Sequence, residues 1–252
     1  MPGSDRAERC VEALRRNPYP GRGLVVGRAA DGRALIQVYW IMGRSDNSRN
    51  RILVRDGTGV RTAPFDPSRM RDPALVIYRA MGATADGTHH VVSNGDQTDT
   101  VLEALEGGHT FEEALQRRTF EPDAPHYTPR IAAIARAADT GAYTLAILKA
   151  PGNDPELTAR QFFTCSRPRP GAGHGLTTYA GDGDPLPPFE GEPMDLPIPD
   201  RPLPAVAAFF WDLLDQGNRV ALAAKRVDLE TGSSEVHIVN RHGGAPASGG
   251  DR

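Results

Sequence analysis

The chain has 252 residues, a formal net charge of −3, a pI near 6.2 and a mean hydropathy of −0.43. That balance excludes a global basic footprint for nucleic acid, and no apolar run approaches the roughly 18–20 residues that cross a bilayer. Two cysteines, Cys10 and Cys165, make neither a disulfide framework nor a zinc site. The charged N-terminal segment has no signal-peptide core, so the expectation is a cytoplasmic protein. Glycine (27) and proline (22) are both abundant and imply many turns. Of 29 cationic residues only Lys149 and Lys225 are lysine. GC-rich coding is the ordinary source of such a bias. Recognition of phosphate or carboxylate by a planar guanidinium is the functional one.

The elements are read in chain order. Residues 5–16 predict a helix, with Asp5 as cap and Cys10, Val11 and Leu14 on one face. Asn17-Pro18-Tyr19-Pro20-Gly21 ends it. Two β-rich runs, 23–28 and 34–42, flank an Asp31-Gly32 turn and predict a hairpin. The second run is apolar at nearly every position, as in a strand buried on both faces. A polar stretch covers 43–51, followed by short strands near 52–55 and 60–65, then a hairpin of 74–81 with 89–93. From Gln97 the spacing of Val101, Leu102 and Leu105 is helical and stops at Gly107-Gly108. Thr110 and Glu113 form a capping-box pattern for a second helix to about Arg118. Strands near 131–137 and 143–148 are joined by Asp139-Thr140-Gly141. Residues 150–204 read as a loop-rich insertion with one apolar run, Phe162–Cys165. A helix over 205–216 and a hairpin of 220–227 with 235–239 follow. The reading is one domain over 1–242 and a disordered tail over 243–252. The order of elements suggests an α+β fold of two stacked, mainly antiparallel sheets with helices outside.

Three segments concentrate chemistry. Arg44, Ser45, Asn47, Ser48, Arg49, Asn50 and Arg51 follow the most apolar strand and suit an oxyanion. A solvated loop is the ordinary alternative. Val91-Val92-Ser93-Asn94-Gly95-Asp96-Gln97-Thr98-Asp99-Thr100 runs from strand through turn to helix start, where N–H groups favour an anion or a polar heterocycle edge. Ordinary helix capping explains it equally well. Phe120-Glu121-Pro122-Asp123, then His126-Tyr127-Thr128-Pro129-Arg130, offer acid/base groups within a loop before a strand. His89-His90 has no third ligand at a metal-site spacing.

Taken together, these segments resemble the archaeal-type IMP cyclohydrolase family. The resemblance is carried by Tyr19-Pro20-Gly21-Arg22-Gly23-Leu24-Val25-Val26-Gly27-Arg28 and by Val38-Tyr39 with Arg44-Ser45 and Asn50-Arg51. Val91-Val92-Ser93-Asn94-Gly95 with Thr98-Asp99-Thr100 is its most specific signature, and Thr128-Pro129-Arg130-Ile131-Ala132-Ala133 is the next. Order and approximate separation match across 19–137 and fade from about residue 150.

The resemblance implies a four-layer α-β-β-α sandwich with an Ntn-hydrolase-like fold, without the processed nucleophile of those hydrolases. It implies closure of the purine ring of 5-formamidoimidazole-4-carboxamide ribonucleotide (FAICAR) to give IMP and water, with no metal and no organic cofactor. It implies Glu121 as the acid/base group, and Tyr39, Arg44 and Tyr78 at the imidazole, formyl or carboxamide. Arg51 with Arg49 would bind phosphate, Asn94 and Asp99 the base edge or ribose, and Arg130 phosphate or Glu121. A homo-oligomer, dimer or tetramer, is expected. Two other readings stay open: the same fold acting on a related nucleotide in specialised nucleoside metabolism, and a non-catalytic nucleotide-binding module.

Overall fold

A computed structural model describes residues 2–71, 73–137 and 141–243. The turn residues Asp139 and Thr140 and the tail from 244 lie outside the described residues.

Helix α1 covers Pro2–Arg16 and is followed by β1 (Gly23–Arg28) and β2 (Ala34–Met42). These two strands pair antiparallel as the expected hairpin. Every residue of β2 is buried. Alternate side chains explain this: Leu35, Tyr39 and Ile41 meet a second sheet, while Ile36, Val38, Trp40 and Met42 meet helices. The polar stretch holds a single helical turn, α2 (Asp46–Arg49), capped by Ser45. Strands β3 (Arg51–Asp56) and β4 (Gly59–Pro64) come next.

The run 74–81, expected as one strand, divides into a helical turn, α3 (Pro73–Val76), and a shorter β5 (Arg79–Ala83). Proline is compatible with a first helical turn, and Ile77 N donates to Pro73 O at 2.8 Å to close it. β6 (His89–Ser93), α4 (Gln97–Glu106) and α5 (Phe111–Gln116) follow as expected. The Thr110–Glu113 capping box is formed. β7 (Arg130–Arg136) and β8 (Tyr143–Lys149) continue the sheet.

The stretch 150–204, read as loop-rich, supplies β9 (Ala159–Cys165), β10 (Ala172–Thr177) and β11 (Met194–Pro197). β10 is an internal strand between β1 and β11. Its glycines hid it: a Cβ at Gly27 of β1 would lie 2.7 Å from Gly173 Cα, so the two backbones approach too closely for side chains. Helix α6 (Leu203–Trp211) and the hairpin β12 (Arg219–Asp228) and β13 (Ser234–Asn240) complete the chain.

One sheet has six strands in the order β11-β10-β1-β2-β12-β13, and the other has seven in the order β3 to β9. All neighbours in both are antiparallel. The sheets face each other through Leu24, Val26 and Ile41 against Val60, Val92 and Ile131. Leu14 of α1 and Val206 and Phe210 of α6 cover the outer face of the first sheet. Val101, Phe111 and Leu115 cover the second. The result is the α-β-β-α layering, held by apolar burial at three interfaces. One polar intrusion interrupts the middle interface. Lys225, Gln37 and His90 are buried there, and Lys225 Nζ and Gln37 Oε1 have no hydrogen-bond partner among the described residues. No helix among the described residues is long and apolar enough to cross a membrane.

Candidate active site

The site begins where the chain enters β1. Gly21 has φ +71°, and a Cβ there would lie 2.2 Å from Thr178 Oγ1 and 2.5 Å from the Tyr179 ring. Only glycine allows this tight turn. It brings Arg22 inward, where its N–H donates to Thr178 Oγ1 at 3.2 Å and Nη2 donates to Glu121 Oε2 at 2.8 Å. Glu121 is held in turn: its backbone N–H donates to Thr128 O at 2.9 Å, and Asn94 Nδ2 donates to its Oε1 at 3.4 Å.

Asn94, at the end of β6, is the hub of the second wall. Its Nδ2 also donates to Pro129 O at 3.0 Å, and its Oδ1 accepts from Gln97 Nε2 at 2.9 Å and Ile131 N at 2.8 Å. Gln97 Oε1 accepts from Arg130 Nη1 at 2.7 Å, and Asp96 accepts from Arg130 and Arg118. From the opposite sheet, Tyr39 OH meets Tyr78 OH at 2.6 Å, both rings buried. Thr128 Oγ1 is bonded to Tyr179 OH at 2.5 Å and to Asp123.

A cleft of about 280 Å³ opens above this network, lined in part by Tyr19, Arg22, Arg44, Arg51, His126 and Tyr179. Arg44 lies over the Tyr19 ring at 4.8 Å and pairs with Asp182. Arg51 is buried, with Nε donating to Ser48 O at 2.9 Å and Nη2 to Met42 O at 3.3 Å.

Burial is the largest influence on Glu121 and raises its pKa above the ordinary carboxylate value, although Arg22 and Arg130 pull the other way. Arg22 is also desolvated, but Glu121 and the neighbouring Tyr78, Tyr179 and Tyr39 hold it charged, well above its usual value. Burial pushes the Tyr39 phenol well up, so it stays protonated and can donate. Burial lowers Arg130. The arrangement combines a carboxyl with a raised pKa, a fixed guanidinium and protonated phenols, which are the parts of an acid/base site.

The structure thus joins Glu121, Asn94 and Arg130 in one network, places the buried Tyr39–Tyr78 pair beside Arg22, and puts Arg44 and Arg51 on the cleft wall. Arg49 turns back to Gly43 O at 3.0 Å and Asn218, bracing the α2 turn. Asp99 stands apart: its side chain is 47% exposed and pairs with Arg79 at 3.1 Å. Arg22, Gln97, Thr128 and Tyr179 have no role assigned from sequence, although Gln97 and Thr128 lie within the candidate segments and Arg22 within the first family motif. Arg22 was detectable as the one cation in the glycine turn before β1. Tyr179 had no local signal, because it lies in the stretch read as loop. Among the described residues no group of three or more His, Cys, Asp or Glu is placed to hold a metal ion.

A profile of the family described as IMP cyclohydrolase-like protein matches residues 19–232. The chain belongs to the IMP cyclohydrolase-like family. It is a cyclohydrolase by that membership, and the match runs through 150–204, where β10 and Tyr179 lie. The chain is also similar to the IMP cyclohydrolase of Methanopyrus kandleri, 34% identical over 164 residues, which is 64% of this chain and 75% of the relative.

Proposed function

We propose that the chain closes the purine ring of FAICAR, forming IMP and water. The observation that carries this reading is the buried Arg22–Glu121 pair beneath an arginine-lined cleft in a chain of this family. The substrate carries both reacting groups, so holding its carboxamide nitrogen against its formyl carbon supplies much of the acceleration. As the C–N bond forms, a proton leaves the carboxamide nitrogen and the formyl oxygen gains charge. Glu121 in its ionised form accepts that proton, and Arg22 with the Tyr39–Tyr78 pair donates toward the oxygen. Protonated Glu121 returns that proton to the new alkoxide, giving the carbinolamine hydroxyl. Ionised again, Glu121 takes the proton of the former formamido nitrogen and delivers it to the departing hydroxyl, so water leaves as the C=N bond forms. A carboxyl with a raised pKa suits both halves of this cycle. Arg44 and Arg51 serve the 5′-phosphate side of the cleft.

The test is purified protein with FAICAR, followed by the ultraviolet absorbance of IMP. Turnover supports the reading, whereas IMP binding without turnover of FAICAR sinks it and favours a nucleotide-binding module.

A further inference from the structure

We infer that His126 is a phosphate-binding residue, its Nε2–H donating to the 5′-phosphate of the ribonucleotide. The inference rests on the nucleotide reading above and adds to it a residue outside the arginine set. His126 lines the same cleft as Arg44, Ser45, Ser48 and Arg51. Its Nδ1 lies 3.1 Å from Leu186 N. A backbone N–H can only donate, so Nδ1 is the acceptor and the proton of the neutral ring sits on Nε2.

The ring is fixed as well as oriented. His126 N donates to Asp123 O at 3.0 Å, and Thr128 N donates to Asp123 Oδ1 at 2.7 Å, so the loop is pinned on both sides of the imidazole. The other cations of the cleft are already engaged: Arg22 with Glu121, Arg44 with Asp182, and Arg51 with the carbonyls of Ser48 and Met42. Arg44 and Arg51 retain guanidinium N–H groups for an anion, and filling the remaining oxygens of a phosphate calls for a further donor that costs no existing bond. Nε2–H is such a donor, with no hydrogen bond to it from the described residues. The same tautomer argues against a base: Nδ1 is occupied and Nε2 already carries the proton. His126 therefore binds and positions rather than taking a proton from the reacting centre.

The experiment is calorimetric titration of IMP and of inosine, which lacks the phosphate, into wild type, His126→Ala and His126→Gln. His126→Ala is expected to weaken IMP by about tenfold or more, the worth of one hydrogen bond to a charged group, and to leave inosine unchanged. In His126→Gln the amide oxygen can accept from Leu186 N while the amide nitrogen donates, so IMP affinity is restored. In turnover, His126→Ala raises KM with kcat nearly retained. Equal weakening of IMP and inosine assigns His126 to bracing the Leu186 segment and overturns the inference, as does unchanged IMP affinity in His126→Ala. Failure of FAICAR turnover by wild type removes the proposed reaction but leaves the IMP–inosine comparison readable. Absence of IMP binding by wild type removes both.

Discussion

Arg22 donates to Glu121 at 2.8 Å while their side chains are only 12% and 6% exposed. Glu121 comes from the loop that leads into β7 of the second sheet, and Arg22 from the turn that opens the first. The ion pair therefore ties the two halves of the sandwich together at the cleft floor. Breaking a buried pair from one side strands the other charge and costs about 3–5 kcal/mol. Arg22→Met is expected to destabilise by that order, read as a lowered urea midpoint. Glu121→Gln keeps the shape, and its turnover is expected to fall by about 10²–10⁴. Unchanged turnover in Glu121→Gln would remove Glu121 from the chemistry.

The same carboxyl predicts a pH effect of definite sign. Its folded pKa lies above the ordinary value. Between the two values the folded state binds more protons than the unfolded state, so this contribution to stability falls as pH rises through that window. Urea midpoints of wild type and Glu121→Gln across acidic pH should differ in slope in that direction. Parallel curves would contradict the raised pKa.

Tyr39 and Tyr78 share a single hydroxyl–hydroxyl contact of 2.6 Å in a buried setting. Either Tyr→Phe change leaves its partner's hydroxyl without this bond, at about 1–3 kcal/mol each. The double variant Tyr39→Phe/Tyr78→Phe removes both groups together and is expected to cost less than the sum of the singles. Additive losses in a double-mutant cycle would show that the contact does not form in solution.

Lys225 is wholly buried between the sheets, and burial alone brings its pKa down to about 8 from 10.5. Below pH 8 its charge opposes folding. Between about 8 and 10.5 the unfolded state holds the extra proton, so stability rises with pH across that range by about 3 kcal/mol. Lys225→Met should raise the thermal midpoint at neutral pH and flatten the alkaline rise. It should also relieve His90, whose pKa is lowered to about 4 by burial first and Lys225 second. A less stable Lys225→Met protein would mean that the ammonium has found a partner.

The family resemblance implies one role for Asn94 and Asp99, at the base edge or ribose, yet their surroundings predict opposite outcomes. Asn94→Ala leaves Ile131 N without its acceptor, removes one of the two acceptors of Gln97 Nε2, and should cost about 2 kcal/mol. Asp99→Ala touches only a half-exposed pair with Arg79 and should cost less than about 1 kcal/mol. Turnover is expected to fall only in the first. A large loss in Asp99→Ala would bring Asp99 back toward the substrate.

The regions that sequence resolved best were those with one dominant period. β2 was legible because a strand apolar on both faces has few alternatives, and α5 because Thr110 and Glu113 spell out its first turn. β10 was illegible for an equally physical reason: a strand that needs glycine for close approach to Gly27 looks like a turn when read alone. The site divides the same way. Glu121, Arg130 and Asn94 sit in dense polar motifs and were visible locally. Arg22, which bonds Glu121, and Tyr179, which bonds Thr128, stand 99 and 51 positions from those groups, so their roles exist only once the sheets have stacked.

The seven-stranded sheet is a meander in which each strand pairs with the next one in the chain. The six-stranded sheet is its opposite: β2 is flanked by β1, its neighbour in sequence, and by β12, which ends at Asp228. Loop closure for that second partner spans most of the chain, and such pairings are slow to form. The meander can assemble from nearby segments, while the other sheet waits for strands far downstream. Glu121, Tyr78 and Asn94 belong to the early half, and Arg22 and Tyr39 to the late one. Completion of the sheet that carries Arg22 and Tyr39 thus depends on the longest-range strand pairing in the fold.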